Sequence, residues 1–216
     1  MYQPPAYEVT DETVLFDLIR KYPLGTLVAN AGGELEANHL PFVVVQDGGK
    51  RYLLAHVARA NPDWPQFHDG DKVLVLFRGE QGYVSPNWYP SKQQSEDQVP
   101  TWNYQVVHVR GRISVVDTPR FVRGVVARLI TQNEATQPHP WKLTDSSPDF
   151  VAGELQKIVG LKVEIESLVG KFKLSQNRSD TDLRGAIHGL RGVGKDGLAG
   201  AMEKAIEKAT HARPRA

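Results

Sequence analysis

Along the chain, the pattern of apolar and polar positions changes period early and again late. Val14, Leu15, Leu18 and Ile19 recur at helical spacing, with Thr10 or Asp11 where a cap belongs, so a helix is predicted through about Lys21. Tyr22-Pro23 breaks it. From Leu24 the period becomes two. GTLVAN, ELEANHLPFVVV and RYLLAHV read as three strands, with AGGE and QDGGK as hairpin turns between them. ANPDWPQF predicts a short helix beginning at Asn61-Pro62, because Asn caps and Pro at the first helical position gives up no needed N–H. DKVLVLFRG reads as a strand buried on both faces and GYVSPNWY as a short strand entering a loop. SKQQSEDQ is polar and exposed. QVVHVRGRISVVD is a long strand with Gly111 as a candidate bulge.

The period then returns to helical. TPRFVRGVVARLITQNEA opens on Thr-Pro and spaces Phe121, Val125, Val126, Leu129 and Ile130 on one face. SSPDFVAGELQKIV reads as a further helix and LKVEIESLVGKFKLS as a late strand. SDTDLRGAIHGLRG has Ser179 three residues before Asp182, the spacing of a capping box with Asp in place of Glu. From Lys195 the chain is Ala-rich and amphipathic and ends basic at ARPRA. Six or seven strands joined by short hairpins, with helices inserted late, predict a mainly β fold with α: a closed barrel with helices packed outside. One domain is expected over residues 1–192, with a helical basic tail over 193–216.

Composition narrows the function classes. Of 216 residues, 40% are hydrophobic and 24% charged, which is ordinary for a globular protein. The net charge of +1 creates no strong field toward nucleic acid or an anionic membrane. The absence of cysteine excludes disulfides, thiol nucleophiles, Fe–S clusters and cysteine-ligated zinc. MYQPPAYEVTDE has neither a basic nor an apolar leader region, so a cytoplasmic location is expected. No apolar run approaches the roughly 18–20 residues of a spanning helix, so no membrane partner is expected.

Several residues could carry chemistry. Arg59 leaves a strand just before the predicted helix start, where a guanidinium fork and free backbone N–H groups would seat a phosphate. The alternative is pairing with a surface carboxylate. His39 lies in a strand that ends at Pro41, where a bend would expose backbone groups to a ligand; the alternative is a satisfied histidine at a barrel rim. KFKLSQNRSD is dense in donors at a strand end running into a capped helix. It suits a phosphate or a heteroaromatic edge, or else a solvated loop. Trp88, Tyr89, Trp102 and Tyr104 sit in Pro/Asn-rich junctions where the chain turns, and offer flat faces for a small-molecule pocket, an interface or packing under a loop. There is no GxGxxG entering a helix, no Walker loop, no GxSxG and no HExxH. The histidines show no metal-ligand spacing, so no metal is expected. No helix with a strongly basic face reads DNA.

HLPF, HVARANPDW, YVSPNWY, VPTWNY-x-x-VHV-x-G and KLSQNR, in this order, resemble the PaiB-type family of FMN-binding split-barrel proteins over about residues 1–192. The resemblance implies an FMN-binding split β-barrel with peripheral helices and a helical C-terminal appendage, assembled as a homodimer with FMN in a groove at the subunit interface. It implies Arg59 with His56, Ala58 and Asn61 on the phosphate side, and a cofactor-facing bend at His39, Leu40 and Pro41. Lys173, Ser175 and Gln176 become expected FMN or interface contacts. Trp88, Trp102 and Asn103 would set aromatic faces and an amide near the isoalloxazine ring or across the two-fold. The family is commonly described as a negative transcriptional regulator of protease synthesis and sporulation, so a regulator or flavin-linked sensor is expected. DNA contact would have to come from a dimer groove or the basic tail. Two other functions stay open. One is a flavin-dependent oxidoreductase or flavin reductase using a nicotinamide reductant, which needs little from side chains. The other is haem binding or degradation, with His39, His56, His108 and His188 as candidate ligands.

Overall fold

The structure is a computed structural model that describes residues 1–212 of the chain, with side chains described as far as Glu207. The strands are β1 (Glu8–Val9), β2 (Leu24–Ala31), β3 (Glu34–Pro41), β4 (Val43–Asp47), β5 (Lys50–Ala58), β6 (Asp71–Val84), β7 (Thr101–Val116) and β8 (Ile158–Lys173). The helices are α1 (Glu12–Lys21), α2 (Pro119–Glu134), α3 (Pro148–Leu155), α4 (Asp180–Gly192) and α5 (Asp196–Ala212). The strands form one sheet in the order β3-β2-β6-β7-β8-β5-β4, with β1 paired to β8 off that path. The mainly β fold with late helices is the one expected.

Local chemistry explains most boundaries. α1 buries Leu15, Phe16, Leu18 and Ile19 and carries Glu12 in its first turn and Arg20 and Lys21 in its last, the charge order its dipole favours. Both predicted hairpin turns form. Ala31 pairs with Glu34 across Gly32 and Gly33, and Asp47 with Lys50 across Gly48 and Gly49, all four glycines at positive φ as a two-residue hairpin of this twist requires. ELEANHLPFVVV divides in two: β3 ends at Pro41, which has no N–H to donate, and the Phe42 amide turns to the Pro23 carbonyl at 2.9 Å.

Three expectations change. The predicted helix at Asn61 is only a 3₁₀ turn over Trp64–Gln66. The Asn61 carboxamide oxygen accepts from the Asp63 amide at 2.7 Å, so it closes a local turn instead of capping a helix. The two strands read from DKVLVLFRG and GYVSPNWY are one, β6. It buries Val73, Val75 and Phe77 and leaves Leu74 and Leu76 half-buried, so it is one-faced rather than buried on both faces. The VPTWNY stretch, read as a turning junction, joins β7 from Thr101, so Trp102 is a strand residue, while Trp88 does sit in a 3₁₀ turn, Pro86–Trp88.

The chain divides into two compact units. Unit 1 comprises residues 1–11, 78–107 and 169–216; unit 2 comprises residues 12–77 and 108–168. In unit 2, Val43, Tyr52 and Leu54 pack on Val125 and Leu129 of α2. Gly111 lets two backbones approach closely, since a Cβ there would lie 2.1 Å from the Glu164 carbonyl oxygen. In unit 1, Leu183, Ala186, Ile187 and Leu190 of α4 are buried together with Leu198, Ala199 and Met202 of α5. A Cβ on Gly82 would lie 3.1 Å from Leu198. The first turns of the segment read as a tail, residues 193–216, therefore belong to the core of unit 1. Of the basic ARPRA end, everything after Ala212 lies outside the described residues.

Candidate functional site

Unit 1 presents a face built by strand alternation. On β7, Asn103 points inward and is fully buried, which sends Trp102 and Tyr104 to the opposite face. Trp102 is 50% exposed there. On β8, Phe172 is buried and Lys171 and Lys173 flank it on the other side. The Lys171 ammonium lies 5.7 Å from the Tyr104 ring centroid and 5.6 Å from that of Tyr2, so the outward faces of β7 and β8 are one surface. Lys173 donates to the Thr101 hydroxyl at the start of β7. Trp102, Tyr104, Lys171 and Lys173 thus combine flat aromatic surface with two ammonium groups.

Behind this face lies a buried polar anchor. Asn103 Nδ2 donates to Ser175 Oγ at 2.9 Å, and Ser175 Oγ donates to Asn103 Oδ1 at 3.2 Å. Met202 Sδ accepts a longer contact from the same amide at 3.4 Å. Ser175 has φ 65, an uncommon conformation for a residue with a side chain. Gln176 folds back on its own strand end: its Oε1 accepts from the Leu174 amide at 2.7 Å and its Nε2 donates to the Phe172 carbonyl. Asn103, Ser175 and Gln176 therefore spend their polar groups on the turn from β8 into α4. Trp88 leans on α4, where a Cβ on Gly189 would fall 2.2 Å from its ring. Arg178 reaches from that turn over the Tyr89 ring at 4.7 Å and donates to Gln98 Oε1 at 2.7 Å.

The predicted capping box is half realised. Ser179 Oγ accepts from the Asp182 amide at 3.2 Å, closing the α4 N-terminus. The Asp182 carboxylate turns instead to Ser91, accepting from its amide at 3.0 Å and its hydroxyl at 2.8 Å. Burial works to raise the Asp182 pKa, but the Ser91 and Ser179 donors and the Arg178 charge outweigh it and hold the carboxyl below its usual range.

Unit 2 holds the remaining predicted residues. Arg59 takes the surface-carboxylate partner: its fork donates to both oxygens of Asp117 at 2.7 and 2.6 Å, while Nε and NH2 donate to the Gln156 and Ile158 carbonyls at 2.7 and 3.2 Å. These bonds raise the Arg59 pKa and lower that of Asp117. The guanidinium is a strut between the end of β5, the end of β7 and the start of β8, with few donors left for a phosphate. Asn61 Nδ2 donates to Asn38 Oδ1 at 2.8 Å and Asn38 Nδ2 to Asp63 Oδ2 at 2.8 Å, tying β3 to the loop after β5. Ala58 and His39 are exposed, Pro41 is half-buried and Leu40 is buried. His56 stands opposite Gly160 of β8, and its Nδ1 is buried with no hydrogen-bond partner among the described residues. Burial pushes the His56 pKa down, which keeps the ring neutral.

Asp117, Asn38, Asp63 and Ser91 matter here and went unnoticed in the sequence. Asp117 is 58 positions from Arg59 and Ser91 is 91 from Asp182, so no local spacing signals either pair. Lys171, within the donor-rich KFKLSQNRSD, alternates with Lys173, a pattern that puts both on one strand face.

An FMN requires flat apolar contact for its ring and cationic or N–H donors for its phosphate. The Trp102 face of unit 1 supplies both. The donor chemistry fits the cofactor.

Comparison with known proteins bears on the same point. Residues 1–167 match the family profile described as "Putative FMN-binding domain". The chain is 32% identical over 191 residues to the protease synthase and sporulation protein PAI 2 of Bacillus subtilis, covering 88% of this chain and 89% of that protein. It is 30% identical over 232 residues to an uncharacterized protein of Emericella nidulans, covering 91% and 92% respectively. Among solved structures, the FAD and heme binding protein from Mycobacterium smegmatis superposes with a TM-score of 0.58 at 18% identity, covering 77% of this chain and 73% of that one. The likeness in structure extends the split-barrel fold to this chain.

Proposed function

This chain belongs to the PaiB-type family of FMN-binding domains, and from that membership we propose that it holds FMN against the Trp102 face as a homodimer and serves as a flavin-linked sensor or negative transcriptional regulator. One observation carries the reading: Trp102, Tyr104, Lys171 and Lys173 share a single outward face of unit 1. Trp102 and Tyr104 offer ring surface to the isoalloxazine. Lys171 and Lys173 supply positive charge for the phosphate. Asn103 and Ser175 act behind the face by holding β7 against the β8–α4 turn. Bound FMN supplies hydride and electron transfer, and the protein's part is binding, orientation and electrostatics.

A half-exposed tryptophan on a strand is a natural element of a subunit contact, which supports a dimer that covers part of this face. The name of the Bacillus relative, which links it to protease synthesis and sporulation, supports regulation over turnover. Among the described residues no helix is long and apolar enough to cross a membrane.

The test is an absorption spectrum taken across a sizing column, with and without added FMN. A flavin spectrum that co-elutes with protein at twice the chain mass is expected. Protein that elutes as a monomer and leaves FMN in the salt volume overturns the reading, and a Soret band in place of a flavin band replaces it with haem. Reduction of the bound flavin by NADH or NADPH faster than that of free FMN would convert the sensor into an oxidoreductase.

A further inference from the structure

The N-terminal residues lie on the same face as Trp102. The Lys171 ammonium sits between the Tyr2 and Tyr104 rings, at 5.6 and 5.7 Å, and donates to the Tyr2 carbonyl at 3.1 Å. Gln3 Nε2 donates to the Gly170 carbonyl at 2.8 Å. β1 then pairs Glu8 and Val9 with Lys171 and Gly170, and the Tyr7 hydroxyl donates to Asn177 Oδ1 at 3.2 Å. The first nine residues are thus fastened to β8 at three places and to the turn after it at a fourth, all within unit 1.

This fastening has an unusual consequence. Tyr2 is 82% exposed although its backbone is tied down. An aromatic ring left in water gains nothing from burial, yet here three separate hydrogen bonds and a strand pair fix the segment that carries it. Ordering a nine-residue segment of so little regular structure costs conformational entropy, so it is held only where something ties it. The tie places the exposed Tyr2 ring beside Lys171, which also faces Tyr104.

We infer that Tyr2 is a flavin-contacting residue: the N-terminal strap, held by Lys171, adds a third aromatic wall to the surface made by Trp102 and Tyr104. The inference rests on the reading of that surface as the FMN face. The ligand chemistry is a flat heteroaromatic ring carrying an anionic tail. Lys171 has two tasks there, one to fix the Tyr2 carbonyl and one to keep a positive charge at the rim. No acid–base role attaches to Tyr2; it acts by its ring face, so a phenylalanine or tryptophan can substitute for it.

The experiment is an FMN titration of the full-length apoprotein, followed by flavin fluorescence, on Tyr2→Ala, Tyr2→Phe and Trp102→Ala beside the parent. Thermal unfolding of each apoprotein and its elution volume are recorded in parallel. Loss of one stacking partner is expected to raise the FMN dissociation constant of Tyr2→Ala about 10-fold. Tyr2→Phe is expected to bind as the parent does, and the unfolding midpoint and elution volume of Tyr2→Ala to stay where they are, because the ring is exposed in the apoprotein. If Tyr2→Ala binds FMN as tightly as the parent while Trp102→Ala binds weakly, the strap is no part of the site and the inference fails while the FMN face stands. If neither substitution weakens binding, the face itself is wrong and the inference falls with it. A loss of affinity in Tyr2→Ala that comes with a shift to a smaller species overturns it as well, since Tyr2 would then act in assembly and not on the flavin.

Discussion

Asn103 and Ser175 are 72 positions apart and meet in the core of unit 1, their side chains joined through Asn103 Nδ2 to Ser175 Oγ at 2.9 Å. Each lies close in sequence to the exposed face: Asn103 next to Trp102, and Ser175 two residues after Lys173. This buried pair thereby helps fix the position of two residues on the exposed face.

Ser175 stores strain for this contact. Its φ of 65 lies in the left-handed region, and a side chain there costs about 1–2 kcal/mol. Ser175→Ala keeps that strain and leaves the buried Asn103 amide short of a partner, for an expected loss of about 2–3 kcal/mol. Ser175→Gly loses the same hydroxyl but relieves the strain, and should be milder by about 1 kcal/mol. Urea unfolding of the two variants decides it; equal losses, or a harsher glycine, would show that the conformation of Ser175 is not strained in the way described.

Asp182 makes stability depend on acid. Its carboxyl is depressed in the fold, where burial, which would raise it, is outweighed by the Ser91 and Ser179 donors and Arg178. The contribution is fully present above the unfolded value of about 3.9 and is lost as pH falls through the lower folded value. Asp117, lowered by Arg59, acts in the same direction. Asp182→Asn is expected to be less stable than the parent at pH 7 and to approach it in acid below about pH 4. A gap in unfolding midpoint that is the same at pH 7 and pH 3 would remove ionisation of Asp182 as its source.

Two glycines on α4 should respond with opposite signs. Gly189 lies under Trp88, where a Cβ would come within 2.2–2.7 Å of three indole atoms, whereas nothing lies within 4 Å of a Cβ on Gly192. Gly189→Ala must push the ring aside and is expected to lose about 1–3 kcal/mol. Gly192→Ala gains helix propensity and is expected to stabilise by up to about 1 kcal/mol. Thermal unfolding of the pair checks both, and a tolerated Gly189→Ala would mean that Trp88 does not rest on α4.

Arg59 and Trp102 separate in an FMN titration. With its fork on Asp117 and two carbonyls, Arg59 acts as a strut, so Arg59→Gln and Asp117→Asn should each leave FMN affinity within about 2-fold of the parent. Trp102→Ala should weaken it about 10-fold. A tighter complex in Asp117→Asn would instead show that the freed guanidinium takes the phosphate, which restores the assignment drawn from HVARANPDW.

Much of the secondary structure was readable from the chain alone, and the reasons are local. The helical spacing of Val14, Leu15, Leu18 and Ile19, the double glycines of both hairpins and the Ser179 cap each act within a few residues, so they specify the same conformation in any surroundings. The order of HLPF, VPTWNY and KLSQNR identified the family and with it the cofactor, because those runs are long and unusual. What tertiary structure decided was the partner of each polar side chain. Arg59 could have met a phosphate or a carboxylate, and it was a carboxylate 58 positions away that closed the fork. Asp182 had the spacing to return to its own helix, and two donors on Ser91 drew it elsewhere. Asn103 and Ser175 read as cofactor contacts and became the rivet beneath the face. Such choices are made by hydrogen bonds between strands and turns distant in sequence, whose energies depend on which groups the packed sheet brings within 3 Å and which it removes from water. Periodicity states which way a side chain points; only the packed sheet states what it finds there.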